Sequence, residues 1–420
     1  MNVPIERESR SGRITGLSGF VSLLLILYSC SSSPEKSFSL SAPVDVPAGT
    51  PVTIPIPDEV DCCTGLSIRP KGGTAMLSLQ SVRQGEAVFL LEADLPAGAS
   101  KQYDLISGSA NDKPAEIHIE KTKTGLEVIA GEEPVLVYNT ETLYPAEGLA
   151  DYYKRSGFIH PFYSPDGKAI TDGFPVGHTH QHGIFFAWVN TTYRGEFTDF
   201  WNQQDETGTV AFKELKDQFD GPLTAGIRAV QEFQSLKYGP VLEEEWTIRV
   251  YRLPDYNVLD ITSKQKMIGN DTLYVNKYHY GGLGIRLSAE WNEADSAHFT
   301  NPMRILTSEG IVDRDSANHS RPRWTAVYGN LEGSPAGVAL FDHPSNFRYP
   351  QPVRVHPNMP YFVPTPSVAD GFTLVPGQEY VSNYRIVSFD GLPDSEALNA
   401  MWRAYSTRME VSWMEEGVSK

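Results

Sequence analysis

Three histidines stand at alternate positions in the stretch Gly177-His178-Thr179-His180-Gln181-His182-Gly183. Side chains of an extended segment alternate with period two, so His178, His180 and His182 would project from one face, whereas a helix would splay them. Such a row offers neutral nitrogens to a metal, or an acid and a base whose pKa values lie near the working pH. The flanking glycines fit equally a tight loop whose imidazoles only hydrogen-bond buried backbone groups. Just upstream lies a second polar run, His160-Pro161-Phe162-Tyr163-Ser164-Pro165-Asp166-Gly167.

Further along the chain, Glu245 occupies the polar face of an alternating segment, Leu242 to Tyr251, where it could serve as a base or simply as part of a solvated face. His279 precedes Gly281-Gly282-Leu283-Gly284, and Arg286 follows it; side chains missing from that run let a ligand or another strand approach closely. In Asp342-His343-Pro344 the first two side chains would point to opposite faces of a strand and can meet only in a turn, which Pro344 favours, so Asp342 reads equally as a turn cap or a catalytic partner. Tyr163, Trp201 and Tyr361 supply rings that serve either as core or as flat platforms for a ligand.

The elements that must position these residues read as strands. A chain of 420 residues with 40% hydrophobic and 11% aromatic residues can bury a large core, and 35 Gly with 30 Pro fit many short strands joined by turns better than a helical bundle. Turn signals at Pro47-Ala48-Gly49, Lys71-Gly72-Gly73, Arg83-Gln84-Gly85 and Pro96-Ala97-Gly98 separate runs of strand length, which predicts a small β domain over 42–118. A larger β unit is expected over 119–420, with a hairpin at Leu253-Pro254-Asp255-Tyr256-Asn257. Leu398, Met401, Trp402 and Tyr405 recur at helical spacing behind Asp394 and Glu396, predicting an amphipathic helix over 394–407.

At the amino terminus Arg7, Arg10 and Arg13 precede the apolar run Phe20 to Leu27, too short for a comfortable span of about 20 residues. The run ends in Leu27-Tyr28-Ser29-Cys30, which resembles a lipobox, so residues 1–29 are expected to be a lipoprotein signal peptide, Cys30 the lipidation site and residues 30–41 a tether. The expected location is the cell envelope, at the periplasmic face or the outer-membrane surface, with the membrane engaged by that lipid alone. Cys62 and Cys63 are neighbours, which fits two buried thiols, a strained vicinal disulfide or a metal pair. A formal charge of −17 leaves no electrostatic footprint for a polyanion, so nucleic acid is not an expected partner.

The ordered strings HPFYSPDGKAITDGFPVGHTHQHGIFFAW, Thr198-Asp199-Phe200-Trp201, Tyr280 to Arg286, Ser308-Glu309-Gly310 and Ala339 to Asn346 resemble the bacterial PmoA-like family over roughly Ile119 to Gly391. The resemblance implies a galactose-mutarotase-like β-supersandwich and secreted or lipid-anchored proteins of sugar processing. The chain nevertheless has no hydrophobic run beyond its amino-terminal one, unlike a multi-pass monooxygenase subunit. Carried onto this sequence, the family's paired histidines fall on His178 and His180, while Gly177, Thr179, Gln181 and His182 depart from the pattern; Phe341-Asp342-His343-Pro344 is intact, with Arg348 downstream.

The sequence-based expectation is therefore an all-β envelope lipoprotein: a small N-terminal β-sandwich, then a large antiparallel supersandwich and a C-terminal helix. It would act on a carbohydrate ligand by acid–base chemistry of His178, His180, His182, His279, His343 and Glu245, with Arg286, Arg348, Tyr163 and Trp201 binding substrate, without a cofactor or obligatory metal. The residue set does not choose among lyase, epimerase and glycosidase. A non-catalytic glycan-binding lipoprotein and a histidine metal site are the alternatives.

Overall fold

The computed structural model describes residues 36–58, 60, 65–83, 85–107 and 116–414. Cys30, Cys62 and Cys63, and with them the lipidation and thiol expectations, lie outside the described residues. The expected all-β class and C-terminal helix are observed. Among the described residues no helix is long and apolar enough to cross a membrane.

Two antiparallel eight-stranded sheets carry the larger core. The first runs in the order Val353–Val355, Tyr361–Pro364, Gly282–Arg286, Ile184–Ala187, Phe158–Phe162, Glu133–Asn139, Gly125–Ala130, Ile117–Lys121. The second begins at Gly208–Phe219 and continues through Ala225–Ser235, Gly239–Leu253, Tyr256–Met267, Tyr380–Asp390, Ser334–Asp342 and Trp324–Leu331 to Arg304–Thr307. Their shared interior is built from alternate residues of each strand: Tyr138, Ile159, Phe186, Leu283 and Ile285 from one sheet, Phe233, Trp246, Ile248, Ile261 and Ile386 from the other. Full burial of a large apolar side chain contributes roughly 1.5–3 kcal/mol before conformational entropy is counted, so this interior is the main force holding the sheets together.

The strand Gly239–Leu253 shows the expected alternation. Trp246, Ile248 and Val250 are buried while Glu245, Thr247 and Arg249 face outward. Pairing of Leu253 with Tyr256 closes the expected hairpin around Pro254 and Asp255. The same parity sends Glu244 into the core, where Ser263 Oγ and Gln265 Nε2 donate to its Oε1. Burial pushes that carboxyl pKa up, against the hydrogen bonds and the Arg155 charge.

A seven-stranded sheet in the N-terminal region, ordered Pro51–Pro55, Glu86–Leu90, Leu77–Arg83, Leu66–Pro70, Ser100–Ser107, Lys36–Ser41, Glu410–Trp413, takes its last strand from the far end of the chain. Just before that strand comes the helix Ser395–Ser406. Asp394 accepts from the backbone N–H of Glu396 and Ala397, satisfying two donors that the first turn cannot pair. Leu398 is buried, and Met401, Trp402 and Tyr405 pack with it against Trp324, Phe341 and Phe389 on the outward face of the second large sheet. The helix therefore covers the face opposite the large core.

Candidate functional site

The strand Ile184–Ala187 pairs antiparallel with Gly282–Arg286, and the latter with Tyr361–Pro364, where Arg286 stands opposite Tyr361. The histidine loop enters the first of these strands through Gly183, whose φ is +59°. A Cβ there would lie 2.2 Å from the Ile159 carbonyl oxygen, so no other residue fits without moving backbone. Arg286 N–H donates to the Gly183 carbonyl at 2.7 Å, which seats the end of the loop on the sheet.

The loop is a turn, with Gln181 N–H donating to the His178 carbonyl at 3.0 Å, and the expected row of three imidazoles divides. His178 and His180 remain together, their ring centroids 5.3 Å apart. His182 is fully buried among Phe158, Phe174 and Phe185; its Nδ1 lies 3.1 Å from the Gly173 carbonyl and its Nε2 2.8 Å from Gln203 Oε1. With both nitrogens engaged inside the core, His182 is a structural residue. The expectation of one common face fails because a turn does not keep strand alternation.

A histidine missed in the sequence completes the cluster. His356 follows the strand Val353–Val355, and its ring lies 5.5 Å from His178 and 5.6 Å from Tyr361. Backbone N–H groups of Asn358 and Met359 point at His356 Nδ1, at 3.4 and 3.2 Å, so in the neutral ring Nε2 carries the proton and can donate it. Its only sequence signal was a histidine before Pro357 at the end of a short alternating run. Tyr153 stacks beside His180 at 6.5 Å, and Tyr361, Trp201 and Tyr280 continue the cluster through ring contacts of 6.3 and 5.3 Å. Tyr280 Oη donates to Asn202 Oδ1 at 2.9 Å. His279 is exposed at the rim, against Tyr278 and Tyr280.

Arg286 supplies the positive charge. It is fully buried and donates through Nη1 to Gln181 Oε1 at 3.0 Å. Burial holds its pKa down at about 10, so it stays charged at neutral pH. Burial lowers all three imidazoles, helped by the Arg286 charge at His178 and by His178 ahead of Arg286 at the other two: His178 moves down, His180 falls to about 3 and His356 to about 4. Asp172 moves the other way, raised by burial and held back by Arg286. At neutral pH the cluster presents uncharged imidazoles around a buried guanidinium. Among the described residues no three His, Cys, Asp or Glu side chains are grouped so that they could hold a metal ion.

The remaining expected residues do not join this site. His343 lies on the outward face of the second large sheet, in a cavity of about 440 Å³ lined also by Arg249, Asp260, Lys264 and Asn383. Its Nδ1 is engaged by Ser345, and Tyr405 packs against its ring. The joint site with His180 therefore fails: that sheet stands between His343 and the core that the two sheets share. Asp342 accepts from Asn346 Nδ2 and from Gln351 N–H, both at 2.7 Å, which makes it a turn cap. Glu245 lines an adjoining outward cavity with Arg228 and Lys264. Arg348 donates to the carbonyls of Pro366, Asp370 and Gly371 and so fastens one loop to another. Tyr163 receives hydrogen bonds from Asn257 and Ser388 on its carbonyl, at the end of the sandwich near Asp390. Trp201 does join the site, although it is buried.

The model of the family of unknown function DUF6807 matches residues 125–403, which takes in every residue of the cluster. This match replaces the PmoA-like assignment expected from the motifs. No curated protein matches the chain. Among solved structures, a glycosyl hydrolase family 38 protein from Enterococcus faecalis is 9% identical with a TM-score of 0.42, covering 90% of this chain and 47% of its own. An α-mannosidase from Enterococcus faecalis V583 is 9% identical with a TM-score of 0.43, covering 93% and 47%. A GH36 α-galactosidase from Geobacillus stearothermophilus is 11% identical with a TM-score of 0.33, covering 69% and 41%. The chain thus spans less than half the length of each of these proteins.

Proposed function

Because the chain belongs to the family of unknown function DUF6807, whose name assigns no activity, we propose a function from the site itself: a lipid-anchored envelope protein that binds a carbohydrate at the His178–His180–His356 cluster and transforms it by proton transfer. The observation that carries this reading is the convergence of three imidazoles and one buried arginine with the rings of Trp201, Tyr280 and Tyr361. Sugar recognition needs apolar faces for C–H surfaces and directional donors and acceptors for hydroxyls; here the half-buried Tyr280 ring, backed by the buried Trp201 and Tyr361, and the imidazole nitrogens would supply them. His356, with Nδ1 occupied by backbone donors, supplies an Nε2–H that can protonate a leaving or ring oxygen. His178 and His180, uncharged, supply acceptors for a hydroxyl or carbon-bound proton. Lyase, epimerase and glycosidase chemistry all use such a pair.

The depressed values of His180 and His356 favour a second reading, a glycan-binding protein in which the same nitrogens accept hydroxyl protons without moving them. The two readings separate when the purified full-length chain is incubated with a panel of neutral and acidic oligosaccharides, with products followed by chromatography and binding by calorimetry. Catalysis predicts product that disappears in His356→Ala while sugar is still bound. Binding with no product from any bound sugar establishes the second reading. Cys30→Ser tests the lipid anchor separately, since the variant should leave the membrane fraction.

A further inference from the structure

We infer that Arg286 forms a carboxylate subsite inside this site, and that the ligand is an acidic sugar of the uronate or aldonate type. This rests on the carbohydrate reading above and narrows it. Nη1 of Arg286 is taken by Gln181, while Nε and Nη2 have no hydrogen-bond partner among the described residues, although the side chain is fully buried. Those two nitrogens are one edge of the guanidinium. Their N–H bonds run parallel and match the two oxygens of a carboxylate.

The same chain shows how that edge is used when an internal partner exists. Arg385 grips Asp260 with Nε and Nη2, at 2.7 and 2.8 Å to the two carboxylate oxygens. Arg286 has acidic residues close enough to feel its charge, but they are otherwise engaged. The Asp172 carboxylate accepts from the backbone N–H groups of Gly173 and Phe174, and Asp295 from Ala297 N–H and against His298 Nδ1. Asp172 and Asp295 offset part of the charge, yet a buried guanidinium edge that makes no hydrogen bond is costly, so an arginine left in this state fits a site completed by a ligand carboxylate. In the same cluster His178 Nδ1 and Trp201 Nε1 are buried and also without partners among the described residues. Neutralising Arg286 would also remove one of the causes that lower His178, His180 and His356, bringing them toward the range in which imidazole transfers protons.

The test uses the full-length protein with galacturonate, glucuronate and gluconate against galactose and glucose, by calorimetry and by the ring C–H resonances of the histidines. Arg286→Lys keeps the charge and loses the fork; Gln181→Glu places a competing carboxylate on Arg286 should the first variant not fold. The inference expects the acids to bind about tenfold or more tighter than the neutral sugars, to move the His178 and His180 resonances, and to lose that advantage in either variant. Acids binding no better than neutral sugars overturn it while leaving the carbohydrate reading standing. If no sugar binds but acetate moves the same resonances in the wild type and not in Arg286→Lys, the carbohydrate reading falls and the carboxylate subsite stands. If neither sugar nor acetate binds, both fall.

Discussion

Arg286 and Gln181 are joined by a hydrogen bond of 3.0 Å between Nη1 and Oε1, and it ties the loop carrying His178 and His180 to the middle of a sheet. Both partners are buried. Gln181→Ala leaves the third guanidinium nitrogen, Nη1, without its partner as well, and an orphaned buried donor costs roughly 1–3 kcal/mol. The variant should unfold at lower denaturant concentration by about that amount with an unchanged slope. A midpoint equal to wild type would show that the bond holds nothing in place.

His180 sets an expectation for pH. In the fold it protonates only near pH 3, whereas in the unfolded chain it does so near its ordinary 6.5, so the unfolded state takes up the proton first as the solution is acidified. The stability it contributes is complete above about pH 6.5 and is lost as the pH falls toward 3, at up to about 1.4 kcal/mol per pH unit. Urea titrations of wild type and His180→Gln at pH 7, 6 and 5 should show the wild type losing more stability than the variant over that interval. Parallel losses in the two proteins would mean that His180 is not buried uncharged.

Gly284 carries a packing prediction. A Cβ at that position would lie 2.7 Å from Trp201 Cη2 and 2.9 Å from Phe185 Cε1, on a central strand where neither ring has free space. Gly284→Ala should cost roughly 1–3 kcal/mol through overpacking and shift the tryptophan emission as Trp201 is displaced. Stability and emission both matching wild type would show that the rings relax freely, and that Trp201 is not held against Tyr280 and Tyr361 by this contact.

What could be read from sequence followed from periodicity. Alternation in the strand Gly239–Leu253 and the helical spacing from Leu398 to Tyr405 placed the core faces correctly, because strand pleat and helix pitch are local rules. His178 and His180 do lie together, but in a turn, so strand alternation is not what pairs them. Turns and registers were not legible. His182 left the row because the loop bends at Gln181, and Glu244 was passed over for Glu245 although the parity that buries Trp246 also buries Glu244. His356 and Arg286 come together through the pairing of Gly282–Arg286 with Tyr361–Pro364, a contact between segments more than seventy residues apart that no local pattern encodes.

The intact Phe341-Asp342-His343-Pro344 string drew attention to His343, while the structure puts His356 beside His178 instead, and the two histidines make opposite predictions. His343 touches Ser345 and Tyr405 on the outward face, so His343→Ala should remove one local hydrogen bond, cost about 1 kcal/mol or less, and leave turnover of any substrate the protein processes unchanged. His356→Ala removes the one imidazole of the cluster whose backbone contacts define its proton-bearing nitrogen, and a lost general acid typically costs 10²–10⁴-fold in rate, so kcat should fall by about that factor while KM moves little. Steady-state kinetics on the two variants, with thermal unfolding of each to confirm the fold, decides the matter. A large loss in His343→Ala with normal activity in His356→Ala would move the catalytic site to the outward cavity and overturn the assignment.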